Sequence, residues 1–201
     1  MKGKLIAFEG IDGVGKTTQA KLLLEYLETR DYSVKYIKDP SEGPYGRKIR
    51  RTAQSGKRLA PEEEYHLFME DRKENTRDHI LPSLNQGDIV LMDRYYYSTI
   101  AYQGALGLST DRIRQENEVF APKPDMVILI GLPVKDALKR IHENRKGQQD
   151  AFETEDYLIA VQTVFDKMSD PCILRVDGSE SIKEVFMEVV EAVEERILES
   201  L

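Results

Sequence analysis

Residues 10–17 have the types and the spacing of a loop that binds phosphate groups. They read GIDGVGKT and satisfy the pattern G-x-x-x-x-G-K-[ST] at every position, between an apolar run and a helical pattern. Three glycines let the backbone curl so that N–H groups point at phosphate oxygens. Lys16 would lie between the β- and γ-phosphates, and the Thr17 hydroxyl would reach Mg²⁺. The segment predicts binding of a nucleoside triphosphate through Gly10, Ile11, Asp12, Gly13, Val14, Gly15, Lys16, Thr17 and Thr18.

A second pair of reactive side chains, Asp93 and Arg94, follows the apolar run at 89–92. A carboxylate at the end of a strand is well placed to hold Mg²⁺, directly or through water. The neighbouring guanidinium offers forked donors for a second phosphate group. Because triphosphate binding is common to switches, motors, synthases and kinases, it is this second motif that discriminates among them.

The elements that must position these residues alternate along the chain. Strands are predicted at 5–9, 33–38, 89–93, 126–130 and 173–176, and helices at 16–30, 61–81, 134–144, 152–168 and 182–198. Residues 39–44 are typical of a turn and precede a basic stretch. We expect one α/β domain over residues 1–201, a three-layer P-loop NTPase fold with a five-stranded parallel sheet flanked by helices. A polar stretch at about 141–152 is a candidate lid.

The composition narrows the class of protein. The chain has 201 residues, of which 40% are hydrophobic and 32% charged, enough for one buried core. A net charge of −7 argues against a general nucleic-acid binder. No apolar run approaches the ~20 residues that span a bilayer, so we expect no membrane anchor and no secretory signal. The lone Cys172 fits a reducing cytoplasm.

Further motifs occur in a fixed order and resemble those of the thymidylate kinase family. After the phosphate loop come KDP at 38–40, LFMEDR at 67–72, DRYYYSTIAYQG at 93–104, PKPD at 122–125 and VDG at 176–178. The run at 93–104 is far more specific than the phosphate loop, and the similarity covers nearly the whole chain. It implies an enzyme that transfers the γ-phosphoryl group of ATP–Mg²⁺ to dTMP, giving dTDP and ADP for dTTP biosynthesis. It also implies a homodimer whose ligands are ATP and dTMP.

The resemblance implies an acceptor site and assigns roles to its main residues. Phe68 would stack on the thymine ring, and Arg72 would hydrogen-bond to its exocyclic oxygen. Tyr102 would pack against the sugar and disfavour a 2′-hydroxyl, while Arg94 would bind the acceptor phosphate. The implied set is Asp12, Lys38, Phe68, Arg72, Arg94, Ser98, Thr99, Tyr102 and Gln103.

Two positions depart from the family pattern. Most relatives carry arginine where this chain has Lys38, which keeps the charge but loses the bidentate geometry. Relatives often carry aspartate where this chain has Gly131, and that change has no functional explanation at the level of sequence.

On the donor side the chain is similar to the bacterial-type branch of the family, in which the lid supplies cations. The phosphate loop has Val14 and no arginine, whereas another branch carries an arginine within this loop. We expect Arg145 to close over the triphosphate and Arg140 to lie near the adenine or its phosphates, with Lys146 nearby. The residues expected to act in catalysis are Asp12, Lys16, Arg94 and Arg145.

The acceptor phosphate needs no general base, because its second pKa is near ~6 and it is mostly ionised at neutral pH. Catalysis would rest on in-line positioning, Mg²⁺ and cations around the phosphoryl group. Three alternatives stay open: another nucleoside-monophosphate or deoxynucleoside kinase, a GTP-hydrolysing switch, and a degenerate relative kept as a binding module. The switch would need a guanine-reading N-K-x-D, and the nearest segment, NTRD at 75–78, lacks the lysine.

Overall fold

Five apolar segments form one parallel sheet in a computed structural model that describes residues 3–56, 58–145 and 154–200. The strands are β1 (Lys4–Glu9), β2 (Val34–Lys38), β3 (Ile89–Asp93), β4 (Met126–Gly131) and β5 (Ile173–Asp177). Their order across the sheet is β2–β3–β1–β4–β5, and each predicted strand is confirmed to within one residue at either end. The fold class is therefore confirmed as α/β, consistent with the P-loop NTPase fold.

Helices connect the strands and cover the sheet. Within the described residues they are α1 (Lys16–Glu28), α2 (Pro44–Gln54), α3 (Pro61–Asn75), α4 (Leu81–Gln86), α5 (Tyr96–Gly104), α6 (Thr110–Glu118), α7 (Val134–Arg145), α8 (Glu155–Asp166) and α9 (Ile182–Arg196). A wider helical turn, Thr76–Ile80, joins α3 to α4, and a short 3₁₀ turn, Leu198–Ser200, follows α9. Helices α1 and α9 pack together, while α5 contacts α3, α6 and α8.

Three of these helices have no counterpart in the sequence prediction. Helix α2 lies where a turn and a basic stretch were expected. Only Gly46, Ile49 and Ala53 of its residues are buried, so its sequence shows too few apolar positions to indicate a helix. Helix α5 is buried along eight of its nine residues, so it shows no amphipathic period. Helix α6 is short and polar, with Ile113 and Asn117 as its buried residues.

The segment predicted as a helix at 61–81 is helical throughout, but it is not one regular α-helix. Helix α3 ends at Asn75, and the wider turn and α4 carry the chain on to Gln86. Pro82, in the first turn of α4, has no N–H to donate to the carbonyl four residues earlier, and that carbonyl lies within the wider turn. Helix α8 begins at Glu155, later than the predicted 152, and residues 146–153 lie outside the described part. The first residues of the predicted lid, 141–145, are the last turn of α7.

The central strands place the reactive residues at one edge of the sheet. All residues of β3, and all but the first of β1, are buried, whereas the outer strands β2 and β5 are partly exposed. Phe8 of β1 pairs with Asp93 of β3, and Asp93 pairs with Lys38 of β2. The carboxyl ends of parallel strands meet at the same edge, so the segments after β1, β2 and β3 converge there. In the described part of the chain, no helix combines the length and apolarity needed to cross a membrane.

Candidate active site

The phosphate loop joins β1 to α1 and depends on glycine for its shape. Gly10, Gly13 and Gly15 have φ angles of +131°, +82° and +103°, a region that side chains with a Cβ rarely adopt. Gly13 also packs closely against α7, because a Cβ there would lie 2.4 Å from the carbonyl oxygen of Ala137. The Lys16 ammonium donates to the Ile11 carbonyl at 2.6 Å and is 6% exposed. The loop therefore encloses a cation, as the sequence predicts for a triphosphate site.

Asp93 forms an oxygen-rich corner beside the loop. Its Oδ2 accepts hydrogen bonds from the Thr17 hydroxyl at 2.6 Å and the Tyr36 hydroxyl at 2.7 Å, and Lys38 Nζ lies 3.8 Å away. Burial opposes ionisation, but the Thr17 hydroxyl and the Lys16 charge outweigh it and lower the pKa of Asp93. An ionised carboxylate with a hydroxyl beside it is a donor set that suits Mg²⁺. The predicted metal residues Thr17 and Asp93 are thus in contact.

Asp12, in the phosphate loop, and Arg94, between β3 and α5, form a part-buried ion pair. Arg94 Nη2 lies 2.7 Å from Asp12 Oδ1, while Nη1 donates to the Gly10 carbonyl at 3.2 Å and the Ser98 hydroxyl at 2.9 Å. The Tyr102 hydroxyl donates to Asp12 Oδ2 at 3.0 Å. Burial raises the pKa of Asp12, but the charges of Arg94 and Lys16 dominate and hold this pKa well below its usual range. Arg94 and Tyr102 thus provide polar partners for the Asp12 carboxylate.

Glu9, the last residue of β1, holds the segment that follows Arg94, and the sequence analysis did not identify it. Its carboxylate accepts the backbone N–H groups of Tyr95 at 2.7 Å and Ser98 at 3.1 Å, and the Ser98 hydroxyl at 2.5 Å. These are the donors at the start of α5, directly after Arg94, whose own φ is +70°. Complete burial raises the pKa of Glu9 to about 7, against the Ser98 hydrogen bond and the Arg94 charge. A carboxylate ending an apolar strand, next to the phosphate loop, was the available signal.

The acceptor residues predicted from the resemblance meet in one cavity of about 860 Å³. Its walls include all nine members of the set: Asp12, Lys38, Phe68, Arg72, Arg94, Ser98, Thr99, Tyr102 and Gln103. The sequence did not anticipate the wall formed by α2, which contributes Ile49, Arg50, Ala53 and Gln54. Asp12 belongs to both this cavity and the phosphate loop, so the two sites adjoin.

Phe68 and Arg72 lie four residues apart on α3. Phe68 is half-buried and stands outside the hydrophobic core cluster, which favours a role at the cavity wall. Arg72 is 1% exposed; its Nε donates to Asp39 at 2.9 Å and its Nη1 to Asn117 at 2.8 Å. Asp39 and Asn117 therefore fix the guanidinium at the wall. Asn117 comes from α6, which no sequence pattern indicated.

On the donor side the structure brings together fewer of the predicted residues. Arg140 is half-buried on α7, the helix that packs against Gly13. Arg145 is the last residue of α7 and its side chain lies outside the described atoms, as does the whole of Lys146. Gly131 is exposed at the end of β4, where a Cβ would have ordinary contact with the Val176 carbonyl oxygen at 3.9 Å. Nothing in the structure explains its departure from aspartate.

Comparison with known proteins identifies the family of the chain. The family described as "Thymidylate kinase" matches residues 8–189. A thymidylate kinase from Akkermansia muciniphila is 45% identical over 195 residues, which cover 97% of this chain and 93% of the relative. A probable thymidylate kinase from Archaeoglobus fulgidus is 44% identical over 94% of each chain. One from Desulfotalea psychrophila is 42% identical over 94% of this chain and 93% of the relative. The chain therefore belongs to the thymidylate kinase family.

Proposed function

We propose that the protein transfers the γ-phosphoryl group of ATP–Mg²⁺ to dTMP, giving dTDP and ADP. The observation that carries this proposal is the single cavity that joins Arg94, Phe68, Arg72 and Tyr102 and shares Asp12 with the phosphate loop. Its volume of about 860 Å³ is large enough for a nucleoside monophosphate. Membership of the thymidylate kinase family supports the same acceptor.

The acceptor nucleotide is bound from three sides in this proposal. Phe68 stacks on the base, and Arg72, held by its ion pair with Asp39, donates to the exocyclic oxygen. Tyr102 lies against the sugar, where its ring leaves no room for a 2′-hydroxyl. Arg94 binds the phosphate, and Lys38 assists from the end of β2. Ser98, Thr99 and Gln103 on α5 complete the wall.

Phosphoryl transfer then requires positioning and charge more than proton transfer. Lys16 and the backbone N–H groups of residues 10–18 hold the donor phosphates. Arg94 and Arg145 neutralise negative charge on the moving group and the oxygens beside it. Asp12 keeps Arg94 in place through the 2.7 Å ion pair. An acceptor phosphate that is already ionised attacks without a general base.

Thr17 and Asp93 would hold the magnesium ion. Their oxygens are in contact at 2.6 Å, and the lowered pKa of Asp93 keeps its carboxylate charged at neutral pH. When bound, Mg²⁺ would neutralise charge on the donor phosphates and orient them for in-line transfer.

The proposal is tested by measuring ADP release from ATP–Mg²⁺ with dTMP, dUMP, UMP, CMP, AMP, GMP, thymidine or no acceptor. Turnover that depends on dTMP and largely fails with the others supports the assignment of Phe68, Arg72 and Tyr102. Preference for another monophosphate would identify a different kinase of the same fold. Slow hydrolysis that no acceptor stimulates, above all with GTP, would indicate a switch or a binding module and contradict the proposal.

We also propose that the protein acts as a homodimer in the cytoplasm, on the basis of its resemblance to the family. Sedimentation velocity tests the first part, because a chain of 23.1 kDa and its dimer differ twofold in mass. A single species at the monomer mass, at micromolar concentration, would contradict it.

A further inference from the structure

Tyr157, in the first turn of α8, contacts the acceptor wall from behind. Its hydroxyl donates to the backbone carbonyl of Tyr102 at 2.7 Å, and the two rings meet edge to face with centroids 6.0 Å apart. Tyr157 does not line the acceptor cavity of the described residues. Its contact with the site is therefore indirect and runs through Tyr102.

Arg58 holds Tyr157 in this position. Its guanidinium lies over the Tyr157 ring, 4.1 Å from the centroid, and its Nη2 donates to the Tyr157 hydroxyl at 2.9 Å. The same nitrogen donates to Oε1 of Glu64 at 3.0 Å. That buried carboxylate oxygen also accepts from the side-chain amide of Gln103 at 2.8 Å. Two consecutive residues of α5, Tyr102 and Gln103, are thus held by one cluster.

Tyr102 connects this cluster to the ion pair of Asp12 and Arg94. Its hydroxyl donates to Asp12 at 3.0 Å and accepts from Arg94 at 3.2 Å. A shift of the Tyr102 backbone would move that hydroxyl away from both charged groups, because the ring is rigid and α5 is packed on all sides.

We propose that Tyr157 is a positioning residue for the acceptor nucleotide, acting through Tyr102 and held in place by Arg58. The proposal rests on the proposed function only in naming dTMP as the acceptor. It assigns to α8 a part in acceptor binding, although no α8 side chain among the described residues lines the cavity.

The test begins with Tyr157→Phe, which keeps the ring and its packing and removes only the hydroxyl. We expect the KM for dTMP to rise about fivefold to tenfold, while the KM for ATP changes less than twofold. Tyr65→Phe is the matched control, since Tyr65 also has an arginine over its ring, at 5.3 Å, and a hydroxyl bonded to Glu116 at 2.7 Å, outside the cavity. Its kinetics should match the wild type. A Tyr157→Phe variant that melts earlier but has wild-type kinetics would overturn the proposal.

A double-mutant cycle with Tyr102→Phe separates positioning from a general structural effect. If Tyr157 acts through the Tyr102 hydroxyl, Tyr157→Phe should add less than twofold to the dTMP KM in the Tyr102→Phe background. The same fivefold or larger increase in both backgrounds would overturn the proposal. Failure of the wild type to use dTMP would count against the proposed function alone, and the cycle would then be run with the monophosphate that the acceptor panel identifies.

Discussion

The acceptor side and the donor side of the site are built in different ways. On the acceptor side, side chains hold one another: Glu9 anchors α5, Arg94 pairs with Asp12, and Tyr102 contacts both charges. On the proposed donor side the described structure offers mainly backbone, in glycines with positive φ and the first turn of α1. A base and a sugar are recognised by particular side chains, whereas phosphates are bound by repeated N–H groups. Single side-chain changes should therefore damage the two sides differently.

The largest effect should come from Arg94→Ala, which removes the central charge of the acceptor side. We expect kcat/KM for dTMP to fall by about a thousandfold, because both the acceptor phosphate and Asp12 lose their partner. The KM for ATP should change only a few-fold. Arg114→Ala is the control, since Arg114 is likewise part-buried and paired with a carboxylate, Asp170, at 2.8 Å. Normal dTMP kinetics in Arg94→Ala would contradict the assignment of Arg94 to the acceptor phosphate, and with it the contrast between the two sides.

Glu9→Gln should change the pH dependence of stability on the acceptor side. Glu9 keeps its proton up to about pH 7 in the folded protein but only to about pH 4.5 when unfolded. The folded state thus binds more protons between these values, and the free energy of unfolding falls as pH rises through this window, by on the order of 3 kcal/mol. Arg94 and Lys16, the charged groups that act on Glu9, stay protonated throughout it.

Glutamine keeps the neutral shape, so the variant should lose this fall in stability. Urea unfolding at pH 5 and pH 7.5 measures the difference between wild type and variant, with Glu28→Gln, on the exposed face of α1, as the control. Equal pH dependence in wild type and Glu9→Gln would show that Glu9 is already charged at pH 5.

Comparing Gly13→Ala with Gly15→Ala separates two effects in the phosphate loop, the strain of a positive φ and the packing of the loop against α7. Both Gly13 and Gly15 have positive φ, so alanine at either position costs about 1 kcal/mol in strain. Only at Gly13 would the new Cβ meet α7, 2.4 Å from the Ala137 carbonyl, whereas Gly15 has open space. We expect Gly13→Ala to lower the free energy of unfolding by about 2 kcal/mol more than Gly15→Ala does. Equal losses in thermal unfolding would mean that the loop does not depend on α7.

The smallest effect should come from Lys38→Arg, which restores the residue that most relatives carry. The ammonium of Lys38 is half-exposed and 3.8 Å from Asp93, so it offers one point of charge at the cavity wall where we propose that the acceptor phosphate binds. A guanidinium adds a second donor, and we expect the KM for dTMP to fall about twofold to threefold. Lys35→Arg, on the same strand but outside the acceptor cavity, should change nothing. An increase in KM would indicate that the cavity is shaped for lysine.

The sequence determined the five strands and the phosphate loop, because apolar runs and a complete eight-position motif are local signals. The resemblance, based on the specific run at 93–104 and its companions, also predicted nine acceptor-site residues, all of which line one cavity. Those residues come from the phosphate loop, β2, α3, the segment between β3 and α5, and α5 itself, and only the parallel sheet brings them into one cavity.

The tertiary structure alone decided which partners hold these residues in place. Glu9 meets Ser98 across 89 positions, and Arg72 meets Asn117 across 45, so no local spacing could have paired them. Helix α5 is buried along almost its whole length, which erases the polar face that would have revealed it. Burial also sets the charge on Glu9, since the same carboxyl in water has a pKa of 4.5. Local sequence motifs identify the reactive side chains, whereas contacts between residues distant in sequence set the orientation and the charge of those side chains.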